Sequence, residues 1–591
     1  MIVGPVADVS RHPSWNWTMD QTAEGSALRV RSRPSPGPRS PRRSAGRPAS
    51  GGLERRRGLL RLLTASIGLG LAWRVARYAA CPPLWGDEAF IAANLLTRDF
   101  AGLLRPLDYY QIAPVGFLWA ELAAIRGLGA SEWALRLPAF LAGLASLGLF
   151  AGLAGRMVDR RSALMAVAIF AASFYPVRHA TEVKPYATDL FLSMATTALA
   201  WSIARRGESP GRWLAMTGVV AVGVWFSYPL IFVAGGVGLF LAGQISRRPS
   251  WRGAAWCSAF GVASVASWLV MYLGVARPQS RAAPFYTALT TWQGAFPPWS
   301  RPWRLPAWVL DVHTGNMLAY PNGGNHFASL ATTILVGAGV VALIRARRPA
   351  LPALLLSPLL PTLAASTFHL YPYGTSARTS LYMAPGFCLL AGVGLVGLVR
   401  RYVPGRNRPR AWRAATAAFA SMIGVAAVVN VAWPYKNFED VANRARVVEL
   451  DALARPGDLW VVLDGLAEMP PPEILMTAHW IQQAAEVRSN ILARASVPVR
   501  WNPKPAEVVP APAGRTWLVV HRCGYPKFAE DQLAAHRETL GRRLGTPVYR
   551  KFPLAIPGES LEAYEFPAPG GAPSVRRIRQ DHPGQRGVIG G

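Results

Sequence analysis

The stretch "PVGFLWAELAAIRGLG" (residues 114–129) decides how this chain sits relative to a membrane. Its apolar part runs for roughly a dozen residues, whereas a helix crossing a bilayer takes about 20. Eleven other runs read as spans: 58–80, 135–155, 162–178, 187–204, 213–227, 229–245, 254–274, 326–344, 350–368, 380–399 and 411–433. Between them lie clusters at Arg156/Arg160/Arg161, Arg205/Arg206/Arg212, Arg247/Arg248/Arg252, Arg345/Arg347/Arg348 and in "RRYVPGRNRPRAWR" (400–413). If 114–129 is left out of the spans, every cluster shares a face with the Arg-rich N-terminus. If it is counted, all of them move to the opposite face, against the bias of cytoplasmic loops toward Lys and Arg. The stretch is therefore expected to lie on the membrane, as is the amphipathic "EAFIAANLLTRDFAGLL" (88–104) before it.

Composition agrees with many spans. Hydrophobic residues make up 51% of the 591 and mean hydropathy is +0.20, too apolar for an ordinary soluble chain. The net charge of +31 follows from 63 basic against 32 acidic residues. No basic stripe interleaved with aromatics lies on a polar domain, so nucleic-acid binding is set aside. Cys81, Cys257, Cys388 and Cys523 show no CxxC spacing and imply neither a disulfide framework nor a zinc site. Residues 1–57 are rich in Arg, Pro, Ser and Gly and read as a disordered cytoplasmic tail. "LERRRGLL" (53–60) leads into a retained signal anchor. The transmembrane catalytic domain is expected over 58–433. A periplasmic α/β domain follows over 434–566, with "DLWVVLDG" (458–465) and "RTWLVVHR" (515–522) as buried strands. Residues 567–591 read as a second disordered tail. The fold class is thus mainly α: a polytopic membrane helix bundle of about eleven spans, interfacial helices in the first outer loop, and a small C-terminal α/β domain.

On the face away from the Arg clusters, segments 81–134, 179–186, 227–229, 275–325 and 369–379 gather ionisable residues. "LWGDEAF" (84–90) carries Asp87 and Glu88; alone, such a pair is as well read as a solvated cap. "HATEVKPYATDLF" (179–191) adds Glu182, Lys184, Tyr186 and Asp189, the last where the next apolar run begins. Ionisable groups at that depth usually line a cavity. "HLYPYGTSARTSLYMAP" (369–385) adds Arg378 with Tyr371, Tyr373 and Tyr382. A carboxylate can take a proton from an attacking hydroxyl. Arg and Lys can neutralise a departing phosphate. Inverting sugar transfer from a lipid phosphate needs both, and it needs no strong general acid, unlike glycoside hydrolysis. His179, His313, His326 and His369 fall near the same face without HxxH spacing, so no metal ligand is assigned; a divalent cation held by oxygen and imidazole stays open. The Trp-rich 290–311 reads as a headgroup-level segment, and Asp464 and Glu468 as strand-end helix caps. A transporter or lipid flippase would show broken mid-membrane helices and repeat symmetry. A non-catalytic assembly protein would tolerate loss of the acid pair.

The order of the "DE" pair, an amphipathic stretch, "YYQIAPVGFLW", "SEWALRLPAFLAG" and "EVKPYATDLF" resembles the GT-C superfamily. It is similar above all to the protein O-mannosyltransferases of glycosyltransferase family 39 and to the lipid A aminoarabinose transferases. The resemblance covers roughly 58–400. It implies a polyprenyl-phosphate-linked sugar donor, a lipid, protein or glycan acceptor, and a site on the periplasmic or lumenal face. For a bacterium that means a multi-pass inner-membrane protein with a cytoplasmic N-terminus and a periplasmic C-terminal domain. It also implies Asp87 as base with Glu88 beside it, and Asp189 as the second-loop acid near acceptor or metal. Lys184, Arg378, Glu182, Tyr186 and Tyr373 are the expected donor-phosphate and substrate contacts. The chain departs from the family pattern in "QIAP", where Ile112 and Ala113 precede Pro114 in place of a basic residue or His. Lys184 stands where Arg is common, and a salt bridge to Glu182 is the plainer reading for it.

Overall fold

The computed structural model describes residues 50–283, 293–433, 438–464, 479–522, 526–555 and 558–570. Arg55–Gly591 form one unit. Residues 1–49 and 571–591 of the two expected tails, Trp292, Glu468 and Cys523 lie outside the described residues.

That unit opens within α1 (Ser50–Ala80). Then come α2 (Gly86–Thr97), α3 (Val115–Leu128) and α4 (Glu132–Met157). Next are α5 (Arg160–Ala172), α6 (Phe174–Arg178), α7 (Tyr186–Arg206), α8 (Pro210–Gly223), α9 (Leu230–Arg247) and α10 (Trp251–Met271). The bundle closes with α11 (Arg277–Ala282), α12 (Leu305–Thr314), α13 (Leu330–Arg345), α14 (Ala350–Leu356), α15 (Leu359–Thr367), α16 (Ala384–Tyr402) and α17 (Arg408–Ala432). Among the described residues, seven helical segments are long and apolar enough to cross a membrane, or eight if the bent pair Arg160–Ala172 and Phe174–Thr181 is one span. Their outward faces are hydrocarbon: Val262, Leu239, Val425 and Val428 are all more than half exposed. Apolar surface in such bands needs lipid around it, so the chain is a multi-pass membrane protein. A helix stands at each of the eleven expected places. The expected spans at 187–204, 213–227 and 326–344 fall on helices that are shorter or less apolar than the seven, and 162–178 falls on the bent pair.

Helix α3 has 14 residues, about 21 Å at 1.5 Å per residue, short of a hydrocarbon core of about 30 Å. It joins α2 and the start of α4 around a small core of its own, with Phe90, Leu103, Phe117, Leu122 and Leu135. Its N-terminus lies against the loop after α8. Gly116 donates its N–H to the Trp225 carbonyl at 2.7 Å. A Cβ at Gly116 would stand 2.8 Å from that same oxygen, so the approach requires glycine.

The Arg clusters meet at one end of the bundle. Arg400 pairs with Asp159 at 3.1 Å, Arg348 donates to the Met157 carbonyl at 2.6 Å, and Ser250 donates to Glu208 at 3.1 Å. Helix α4 has 26 residues, about 39 Å in length. Met157 closes it at the Arg-rich end and Glu132 opens it at the other.

The C-terminal domain contains α18 (Phe438–Asp451), β1 (Leu459–Leu463), α19 (His479–Arg494), β2 (Val499–Trp501), β3 (Thr516–Arg522), α20 (Pro526–Leu544), β4 (Val548–Pro553) and β5 (Ser560–Phe566). The sheet order is β2-β1-β3-β5-β4, with β1 parallel to β2 and β3, and β5 antiparallel to β3 and β4. Alternation along the strands buries both faces. Trp460, Val462, Trp517 and Val519 pack with Val447, Leu450, Val487 and Ile491 of α18 and α19. Val461, Leu518 and Val520 pack with Leu533 and Leu540 of α20.

Candidate active site

Helix α2 begins immediately after Trp85, and Asp87 and Glu88 occupy its first turn, where carboxylates are favoured. Successive helical residues point about 100° apart, and the two acids diverge accordingly. Glu88, 1% exposed, turns inward. Its two oxygens accept from Arg136 Nε at 2.9 Å and Arg136 NH2 at 2.8 Å, and Oε1 also accepts the Val183 N–H at 2.8 Å. Arg136 in turn donates to the carbonyls of Pro82 and Pro83. One buried ion pair thus ties together the start of the first outer loop, the second outer loop and α4.

Asp87 turns the other way, toward the fifth outer loop, where Arg378 NH1 donates to Oδ2 at 2.7 Å. Both remain partly open, 17% and 24% exposed. Lys184, next to Val183, lies within electrostatic reach of Asp87 and Arg378. Its Nζ donates to Gln111 Oε1 at 3.1 Å. Burial lowers the Lys184 pKa, and the Asp87 carboxylate opposes that shift. Residues 87, 184 and 378 come from three separate loops, and they form a polar centre at the end of the bundle away from the Arg clusters.

Lys184 makes no ion pair with Glu182, contrary to the plainer reading of the sequence. Glu182 is engaged by Arg178 Nε and His179 Nδ1, both at 2.6 Å. Burial alone would raise its pKa, but the nearby His179 and Arg178 outweigh it and hold the carboxyl well below its usual range. The Arg178 guanidinium also stands 5.7 Å above the Trp85 ring. Tyr186 meets the His179 ring edge-on, with centroids 4.8 Å apart. Asp189 is buried beside Ser227 and within electrostatic reach of Tyr371 and Tyr382. It thus lies about one turn deeper than Tyr186. Tyr373 joins a different pair of loops: its hydroxyl meets His313 Nε2 at 3.1 Å and its ring lies 5.8 Å from Trp308. Among the described residues no three His, Cys, Asp or Glu side chains converge as a metal set.

The sequence reading passed over three of these groups. Arg136 sits at the head of an apolar run, where a flanking charge is ordinary. Gln111, in the "QIAP" segment that lacks a basic residue, meets the lysine supplied by another loop. Glu121, on the buried face of α3, has neither carboxyl oxygen hydrogen-bonded among the described residues. Burial, reinforced by Glu88 and opposed by Arg136, raises its pKa well above the usual range.

Residues 113–272 match the family model described as dolichyl-phosphate-mannose-protein mannosyltransferase. That segment lies inside the 58–400 stretch that carries the sequence resemblance and includes Arg136, Glu182, Lys184 and Asp189. No curated protein matches the chain. Among solved structures, the chain is similar to ArnT from Cupriavidus metallidurans in the apo state, at 14% identity and a TM-score of 0.48, covering 86% of this chain and 98% of that one. The same protein bound to undecaprenyl phosphate gives 14% and 0.46, covering 87% and 98%. The oligosaccharyltransferase of Archaeoglobus fulgidus gives 12% and 0.41, covering 83% and 69%.

Proposed function

We propose that this protein is a membrane glycosyltransferase of the GT-C type, moving a sugar from a polyprenyl-phosphate donor to an acceptor hydroxyl with inversion. The observation that carries the reading is the Asp87–Arg378 pair beside buried Lys184: one carboxylate and two cations from three loops, at the end of the bundle away from the Arg clusters. The family match over 113–272 supports the same reaction class.

Asp87 takes the proton of the acceptor hydroxyl as its oxygen forms a bond to the anomeric carbon. The bond from that carbon to the phosphate oxygen breaks, and polyprenyl phosphate leaves with the electron pair. Arg378 offers the leaving phosphate a planar fork and Lys184 a point charge, with Gln111 holding the ammonium in place. Tyr186 and Asp189 lie deeper and are assigned to the substrate-binding side of the pocket. Glu182 orients the second loop through Arg178 and His179, and Tyr373 braces the fifth loop against the fourth. Glu88 carries no proton in this scheme, because Arg136 and the Val183 N–H occupy its oxygens. With the Arg-rich end in the cytoplasm, as the positive-inside bias requires, the site and the C-terminal domain face the periplasm of a bacterial inner membrane.

Purified protein in detergent, given a labelled polyprenyl-phosphate sugar, should release polyprenyl phosphate and consume the donor. Replacing Lys184 with Met and Arg378 with Gln together should abolish the release. Donor left intact by the wild-type protein across a panel of lipid-linked hexoses and pentoses would remove the reading.

A further inference from the structure

The C-terminal domain meets the first outer loop through a set of contacts whose donors all belong to the domain. Helix α19 packs directly along α2. The Ser489 hydroxyl donates to the Ala89 carbonyl at 2.9 Å, two residues from Asp87. Arg488 NH1 donates to the Tyr109 hydroxyl at 3.1 Å, and Tyr109 stacks on Phe90 of α2 with ring centroids 5.2 Å apart. Arg444 NH1 donates to the Cys81 carbonyl at 2.8 Å and stands 3.7 Å from Glu132 Oε1. Arg494 pairs with the same carboxylate through Oε2. Glu132 is 3% exposed and opens α4. One turn along that helix, on the same face, stands Arg136, which holds Glu88.

We infer that the C-terminal domain is a positioning element for the catalytic helix: Arg444, Arg494 and Ser489 seat α2, and with it Asp87, against Arg378 and Lys184. Two rigid routes lead from the domain to the site. One runs directly from α19 to the α2 backbone; the other runs through Glu132, a single turn of α4, Arg136 and Glu88. The inference rests on the proposed reaction for its kinetic readout, but its structural readout is independent of that reaction.

The test uses full-length protein carrying Arg444→Gln and Arg494→Gln together. The turnover number should fall at least tenfold while the donor KM stays within twofold, and amide exchange over 86–97 should speed up at least tenfold. Adding Glu132→Gln removes the stranded buried charge. It should restore thermal stability without restoring turnover, which a purely structural role would not predict. Arg444→Lys with Arg494→Lys should recover at least half of the turnover, and Ser489→Ala alone should speed exchange over 86–97 with the domain's own unfolding unchanged. Turnover and exchange both within twofold of wild type in the double Gln variant would overturn the inference. So would a rise in acceptor KM alone with exchange unchanged, which would make the domain an acceptor-binding module. If the wild-type protein transfers no sugar, the exchange measurement still decides whether the domain seats α2.

Discussion

Two adjacent acids do different work because a helix turns about 100° between them. Asp87 stays partly exposed beside Arg378, whereas Glu88 is closed off against Arg136. Lys184→Met should raise the donor KM about ten- to a hundredfold, the range expected for losing a hydrogen bond to a charged group; steady-state kinetics over a donor series would check it. Glu121 yields a stability prediction. Its folded-state pKa is raised, so the fold favours the neutral acid. The stabilising contribution is complete below the unfolded value near 4.5 and is lost as pH rises above it. At pH 7 the buried carboxyl is therefore a burden, and Glu121→Gln should raise the unfolding temperature at neutral pH and have no effect near pH 4. At this scale the sequence revealed the residue types of the site but not their pairings. Asp87, Lys184 and Arg378 were visible as loop charges. The Glu88–Arg136 pair was not, because nothing in one sequence says which of two neighbouring carboxylates turns inward.

At the level of elements, the Arg136–Glu88 pair fastens three chain segments that share no local sequence. Removing one partner of a buried pair leaves an uncompensated charge and costs about 3–5 kcal/mol, whereas replacing both by apolar groups is often near neutral. Arg136→Met should therefore destabilise the protein by about that much, and Arg136→Met with Glu88→Leu should recover most of it, as thermal unfolding would show. Activity should stay low in both, because the Pro82 and Pro83 carbonyls lose their donor in either variant, and the double variant also removes the acceptor of the Val183 N–H. Helix α3 was legible from the shortness of its apolar run together with the side on which the Arg clusters fall: 14 residues reach too short a distance to span. The span count was less legible. Helix α7 carries Ser193 and Thr196, which lower its hydropathy, but both are buried among other helices. The Ser193 hydroxyl donates to the Tyr382 carbonyl at 2.6 Å. Periodicity and hydropathy do not distinguish a polar residue facing a neighbouring helix from one facing water.

Across the whole molecule, the bundle and the C-terminal domain are joined at α2. The strands at 459–463 and 516–522 were legible as Val-rich runs, and the domain they build follows from that alternation. Its docking was not legible, since Arg444, Arg488 and Arg494 read as ordinary helix-surface charges. His521 makes the domain acid-sensitive. It is buried, both ring nitrogens lack a hydrogen bond among the described residues, and burial lowers its pKa to about 4. Above pH 6.5 the folded and unfolded states are both neutral there. As pH falls from 6.5 toward 4 the unfolded chain alone binds a proton, and the domain loses stability, by about 3 kcal/mol at the acid end. His521→Leu should flatten that acid limb in a denaturation series from pH 7 to pH 4. The central claim, that Asp87 is the base of a lipid-linked sugar transfer, is tested most directly by single-turnover assay of Asp87→Asn with labelled polyprenyl-phosphate sugar. Asp87 as base predicts a variant that folds and binds donor as wild type does but transfers sugar at least a thousandfold more slowly, about 4 kcal/mol of barrier. Transfer by Asp87→Asn at the wild-type rate would contradict it.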